Sequence, residues 1–174
     1  MLGLRLREPK KGDDMLAKAV SESAADFQHI VLPPDINALG TIFGGRIMEW
    51  IDMAAAIVAM RHCRGIAVTA SMDALNFYSP VNLGDIVVLK VSVNYVHRSS
   101  MEIGVRVEAE DPKTGLRRHT SSAYLTFVAL DENKKPMPIP DLVANTPDAK
   151  RRFAEGEQRR KRRLELKKEM QAKP

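Results

Sequence analysis

NALGTIFGGRIMEWIDMAAAIVAM, residues 37–60, is the stretch whose reading decides the fold. Its first part is turn-rich, with Asn37 and Gly40. A glycine pair, Gly44 and Gly45, follows, and beyond Met48 nearly every residue is apolar or small. About four turns of such residues predict a helix enclosed on most of its faces. One carboxylate, Asp52, interrupts the run. It falls nearly two full turns after Gly45, so the spacing predicts both residues on one helix face. The first amides of a helix have no intrahelical partner and carry the positive end of the dipole. A carbonyl oxygen is therefore expected at the Gly45 N–H with the Asp52 carboxylate below it, and a backbone without Cβ lets a ligand come close. An acid set among Ile51, Met53, Ala55 and Ala56 predicts burial, and a buried acid needs partners. Such a group is a candidate base or nucleophile, and the residues do not separate these two roles.

Outward from this helix the pattern changes to strands. Residues 27–32 predict a first strand, ended by Pro33 and Pro34, which cannot donate to a ladder. Arg61, His62 and Arg64 suit the negative end of the helix, and Gly65 is its expected stop. Residues 66–73 alternate, with Ile66, Val68, Ala70 and Met72 on one face. Residues 85–96 place Val87, Leu89, Val91, Val93 and Tyr95 on one face. Residues 101–109 and 119–130 alternate again, with Glu102, Arg106 and Glu108 outside. Turns at 97–100 and 111–115 join the long strands, so an antiparallel meander is expected. One strand, one apolar helix and four strands predict an α+β fold in which a curved antiparallel sheet wraps the helix. A single layer of sheet leaves the far side of the helix bare, and dimerisation would cover it.

The ends differ in character. Residues 1–25 are polar and mixed and are read as largely loose or packed on a neighbouring subunit; a short helix over 15–25 is the alternative, with no apolar stripe behind it. Thr146, Pro147 and Asp148 form a helix start: hydroxyl cap, proline at the first position, acid in the first turn. The helix that follows is charged almost all round and weakened by Gly156, so it is expected to project or to pack on a partner subunit. Residues 1–25 are thus read as an N-terminal extension, 26–141 as the folded domain and 142–174 as a basic helical tail. The net charge of +5 belongs to the tail: residues 150–174 carry 11 Lys/Arg against 4 Asp/Glu. No aromatic platform accompanies the tail, so nucleic acid is an unlikely partner. A single cysteine, Cys63, fits a reducing cytoplasm. Residues 53–60, the longest apolar run, are too few to span a bilayer, and the opening residues lack the continuous apolar segment of a signal peptide.

The segment N-x-x-G-x-x-F-G-G-x-x-M-x-x-x-D-x-A, residues 37–54, resembles the hotdog-fold acyl-CoA hydrolases, in particular the bacterial broad-specificity and brain-type cytosolic acyl-CoA thioesterases. VTASMDALNFYSPV (68–81), Gly84-Asp85, HRSSM (97–101) and TFVALDENKKPMPIP (126–140) extend the likeness to residues 27–140. The resemblance implies a hotdog fold, an active dimer with its site at the interface, and often a trimer of dimers. It implies hydrolysis of acyl-CoA to free acid and coenzyme A, with no cofactor. It gives Asp52 the role of catalytic acid, makes Asn37 from the partner subunit the catalytic asparagine, and lets the Gly45 amide hold the thioester oxygen. The HRSSM turn matches a region that contacts coenzyme A.

Each candidate has a plainer reading. Asn37 suits an Asx-turn, and Gly44 with Gly45 suits close packing of helix on sheet. Arg98, Ser99 and Ser100 make a polar hairpin turn, although guanidinium and hydroxyl donors also suit the phosphates of coenzyme A. Thr69 is expected to bond near the thioester or to satisfy the core. Trp50, Met53, Phe77 and Tyr78 are candidates for the acyl tunnel. Cys63 and His62 point about 100° apart on a helix and make no nucleophile pair, and the four histidines show no metal-ligand spacing. Hydratases of this fold pair their acid with a histidine five residues on, where this chain has Ile57. The reading from another class is a non-catalytic module that binds acyl-CoA or nucleic acid.

Overall fold

The computed structural model describes residues 16–172. Nine elements follow in order: β1 (Lys18–Ala19), β2 (Ala25–Ile30), α1 (Gly44–Cys63), β3 (Ile66–Met72), β4 (Ile86–His97), β5 (Ser100–Glu110), β6 (Arg117–Leu130), β7 (Leu142–Val143) and α2 (Pro147–Ala172). The main sheet is antiparallel, with strand order β2–β4–β5–β6–β3. β4, β5 and β6 are the meander that alternation predicts. The chain leaves one edge at β2, passes through α1 and re-enters at the other edge as β3. The sheet curls around α1, giving the hotdog architecture.

The core lies between the inner sheet face and one side of α1. Val87, Leu89, Ile103, Leu125 and Phe127 from the strands meet Ile51 of α1, all fully buried. Each such side chain contributes about 1.5–3 kcal/mol by leaving water. The opposite side of α1 is bare in the single chain: Met48, Met53 and Met60 are exposed.

Of three register slips in the sheet, two shift faces that bear on the site and on α2. Between Thr69 and Ser71 the β3–β6 register slips. Ala70 is the extra residue, so Ile66, Val68 and Ser71 face outward while Ala67, Thr69 and Met72 face α1. The apolar face expected for residues 66–72 is therefore split across the sheet. A second slip between Val93 and Tyr95 turns Tyr95 to the outer face, where its ring meets Phe153 of α2 at 4.9 Å. Val96 takes its place against the core.

The ends of α1 also depart from expectation. The left-handed residue that closes the helix is Arg64 (φ 53°), not Gly65, and its N–H returns to the Met60 carbonyl at 2.8 Å. Lys18 Nζ donates to the His62 carbonyl at 2.7 Å. Residues 16–25 are neither loose nor the alternative short helix: they form β1, a 3-10 turn (Val20–Glu22) and the start of β2, paired within the chain, while residues 1–15 lie outside the described residues. β1 pairs in parallel with β7, a two-strand patch that alternation does not announce.

The charged helix α2 neither projects freely nor waits for a partner over its first turns. Thr146 Oγ1 caps it, accepting from Ala149 N at 3.1 Å. It lies on the outer sheet face, where Arg159 and Arg163 both pair with the buried Glu102, at 2.7 and 2.9 Å. Arg163 also reaches Asp73 at 2.7 Å, and Arg159 covers the Tyr124 ring at 3.7 Å. Gly156 is the point of closest approach: a Cβ there would lie 2.9 Å from the Tyr95 Cβ and 3.1 Å from Glu102 Oε1. It is a packing residue rather than a weakness of the helix. Glu102, expected outside and solvated, is sealed by this helix.

His62, fully buried on α1, donates Nε2–H to the Pro140 carbonyl at 3.0 Å and leaves Nδ1 without a partner. Burial holds its pKa below the ordinary value near 6.5. The unfolded chain therefore binds a proton that the folded chain refuses. Stability is full above pH 6.5 and falls as pH drops from there toward the folded pKa. Thermal unfolding across pH 5–8 should show this slope, and His62→Gln, which keeps a donor for Pro140, should flatten it.

Candidate active site

α1 starts without a cap. Phe43 occupies the N-cap position and has no side chain to accept from the first amides. Among the described residues, the Gly44 and Gly45 N–H groups have no hydrogen-bond partner, whereas Arg46 N and Ile47 N return to the Phe43 carbonyl. Unpaired donors at the positive end of a helix are a ready seat for a negative oxygen. A Cβ at Gly45 would meet nothing within 4 Å, so the backbone there is open to approach on that side. A cavity of about 280 Å³ opens beside it, lined by Thr41, Ile42, Gly44, Ile47, Phe77 and Tyr78 among others. Trp50 is instead buried and stacked on His29 at 4.4 Å, so it lines no tunnel within this chain.

Asp52 sits on the bare side of α1 and is only partly buried. The enclosed acid expected from its apolar neighbours is not found within one chain. Ile51 and Ala55 beside it turn to the core, Met53 stays exposed, and the face of Asp52 meets the edge strand β3. Thr69 Oγ1 on that strand donates to Asp52 Oδ1 at 2.6 Å. This bond fixes the carboxylate and leaves Oδ2 free to accept. Thr69 thus acts on Asp52 and is a positioning residue in this chain.

Gly45 and Asp52 share a face, as their spacing predicts, but not a ligand. α1 is continuous between them, and seven residues rise about 10 Å along the axis. The Gly45 N–H also points away from Asp52, beyond the helix start. One carbonyl group cannot touch both within a single chain.

Asn37 is engaged locally. Its Oδ1 accepts from Leu39 N at 2.9 Å, an Asx-turn, and its Nδ2 donates to Thr41 Oγ1 at 3.0 Å. It makes no contact with Asp52 of its own chain among the described hydrogen bonds. Arg98, Ser99 and Ser100 form the β4–β5 turn, with Arg98 in the left-handed region (φ 50°). Ser100 Oγ donates to the His97 carbonyl at 3.1 Å. Ser100 pairs with Val128, and Val128 with Val68, so all three face outward. Ser100 and the Asp52–Thr69 pair therefore lie on opposite faces of the sheet.

Residues 39–116 match the thioesterase superfamily model. The chain is 47% identical over 116 residues to the Bacillus subtilis acyl-CoA thioester hydrolase YkhA, itself uncharacterized, covering 67% of each chain. It is 41% identical over 143 residues to the mouse cytosolic acyl coenzyme A thioester hydrolase. The chain belongs to the acyl-CoA hydrolases of the thioesterase superfamily. The mouse match covers 80% of this chain and 37% of that one, so the hydrolase described here spans little more than a third of its mouse relative. Among solved structures, an apo-hexameric acyl-CoA thioesterase superposes with TM-score 0.84 at 39% identity, covering 87% of this hydrolase and 97% of that chain. The Staphylococcus aureus acyl-CoA hydrolase, solved with butyryl coenzyme A, coenzyme A and coenzyme A disulfide, gives 0.80 at 36%, covering 89% and 97%. Variants of that enzyme with one asparagine, one aspartate or one threonine changed to alanine have also been solved. In its sequence those three residues are separated by 15 and 17 positions. Asn37, Asp52 and Thr69 of this hydrolase have the same separations.

The sequence reading missed the uncapped state of α1 as a positive feature. Its signal was Phe43 standing where a capping Ser, Thr, Asp or Asn is usual.

Proposed function

We propose that this hydrolase cleaves acyl-CoA thioesters at a site shared by two subunits, with each half of the chemistry drawn from a different chain. The observation that carries this reading is the 10 Å of helix between Gly45 and Asp52. A reacting carbonyl needs both an oxyanion donor and a base, and one chain offers them too far apart. Two copies joined across the bare side of α1, with their β3 edges paired, bring the helix start of one copy toward Asp52 of the other. The Gly45 N–H, with Gly44 beside it, then holds the thioester oxygen, and Asn37 of the same chain orients the thioester. Asp52 of the partner subunit, held by its own Thr69, takes the proton of an attacking water through Oδ2. The tetrahedral intermediate collapses as Asp52 returns that proton to the departing sulfur, leaving the free acid and the coenzyme A thiol. This chemistry uses water, a carboxylate and amide donors, and calls for no metal or redox cofactor.

The role of the β4–β5 turn follows from the same geometry. Facing away from Asp52 of its own chain, it serves coenzyme A bound by a neighbouring subunit, where Arg98, Ser99 and Ser100 meet the phosphates. Dimers then assemble as a trimer of dimers, in keeping with the hexamer named among the structural relatives. No helix among the described residues is long and apolar enough to cross a membrane, and we place the enzyme in the cytoplasm on the strength of its lone, buried Cys63. Nucleic acid is the weaker partner for the tail, since four of its eleven Lys/Arg, namely Arg151, Arg152, Arg159 and Arg163, are committed to acidic side chains.

Trapping the released thiol across acyl-CoA substrates of increasing chain length tests the activity. Catalytic release is expected from at least one chain length. Tight binding of acyl-CoA with no thiol release from any member of the series would favour the non-catalytic module instead.

A further inference from the structure

The end of α2 runs out of sheet. Phe153 lies over Tyr95 of β4, Arg159 over Glu102 of β5 and Tyr124 of β6, and Arg163 reaches Asp73 at the end of β3. Ten residues of helix, about 15 Å, thus cover three inter-strand spacings, about 14 Å. The helix crosses the strands nearly at right angles. Residues 164–172 continue for about 13 Å more, past β3, which pairs with β6 on one side and with no strand among the described residues on the other.

The underside of this overhang mixes apolar and polar side chains. Leu164 and Met170 are 43% and 76% exposed, and both line, with Lys167 and Gln171, a groove of about 940 Å³ between α2 and strands β3 to β6. Ile66 and Val68, at the start of β3, are also outward and exposed. Nothing among the described residues covers these two patches, and they are set apart along β3: the helix crosses the strand at its last residues, while Ile66 and Val68 lie at its beginning.

Pairing two β3 edges antiparallel removes the mismatch. About a two-fold axis near the middle of the strand, the end of one β3 lies beside the start of the other. An α2 that leaves its own sheet at Asp73 then arrives over Ile66 of the partner subunit. We propose that residues 164–172 form a strap across the dimer, seating Leu164 and Met170 on Ile66 of the partner subunit and Val68 of the partner subunit, with the reciprocal contact made by the other tail. This rests on the dimer proposed above. The strap also ties the interface to the strand that carries Thr69, since Arg163 anchors its root to Asp73.

The test co-expresses two differently tagged chains, one with Ile66→Cys and one with Met170→Cys, and oxidises the purified mixture mildly. The expected result is a covalent dimer between the two tags, with none from either chain alone, because neither new cysteine lies near its own symmetry mate. A chain lacking residues 164–174 is expected to show a rise of roughly tenfold or more in the dimer dissociation constant by sedimentation. A protein that sediments as a dimer or larger, yet gives no cross-link and is unchanged by the deletion, would overturn the strap and leave the dimer intact. A wild-type monomer at micromolar concentration would overturn both. An internal disulfide in a chain carrying both cysteines would place the tail on its own sheet. A fatty acid retained in the groove in native mass spectra of the uncross-linked dimer would assign the groove to a lipid. Either of these last results overturns the strap.

Discussion

Asp52→Asn is expected to lower kcat by about 10²–10⁴-fold, with little change in KM or in the thermal midpoint. The amide has the shape of the carboxylate and still accepts from Thr69 Oγ1, so the local structure around the 2.6 Å bond is kept. Asp52 is only partly buried, which makes loss of its charge cheap for folding. What the variant loses is an oxygen that can take a proton from water. Thr69→Val removes the bond and spares the base, so its effect should be smaller, about tenfold in kcat. Steady-state thiol release with circular dichroism on the same samples measures all of this. A folded Asp52→Asn protein with wild-type turnover would remove Asp52 from the chemistry.

Arg159→Met is expected to destabilise the folded chain by about 3 kcal/mol. Glu102 is 1% exposed, and its oxygens are held by Arg159 and Arg163, with a weaker donor in Asn94 Nδ2 at 3.4 Å. Removing Arg159 strips one cation from a carboxylate that water cannot reach. The methionine stem preserves most of the packing on Tyr124, so the loss reports the charge and not the volume. For a chain of this size the thermal midpoint should fall by roughly 6–12 °C. Lys167→Ala, at a lysine without an ion pair among the described residues, serves as the control and should shift it little. Equal midpoints for the two variants would mean that Glu102 is not held by α2.

These two sites mark how far the residues alone carry the structure. The α1 run and the β4–β6 meander were legible because their periods, near 3.6 and 2, are set by which side meets the core. The bulge at Ala70 was not, since one extra residue leaves no mark on composition and yet reverses the faces after it. Docking of α2 was hidden for a different reason. Its attachments are Tyr95, Glu102 and Tyr124, on the outer face of strands far away in sequence, and an arginine-rich stripe reads as solvated until a buried carboxylate is seen beneath it. At the site, the common face of Gly45 and Asp52 was readable from spacing. Their axial separation was readable too, from the same seven residues, and it is the ground for the two-chain site proposed above. The Asx-turn at Asn37 was anticipated, and it means that this side chain is already ordered before any partner arrives.

The shared site is tested most directly by complementation. One chain carries Asn37→Ala, the other Asp52→Asn, and mixed oligomers bearing both tags are purified after co-expression. Each variant alone places a defect in every site. In a mixed dimer with crossed contributions, one site combines two defects and the other combines none, so about half of the wild-type turnover per dimer is expected to return. If mixed oligomers form and remain as inactive as either variant alone, Asn37 and Asp52 act within the same chain, and the two-subunit account is wrong.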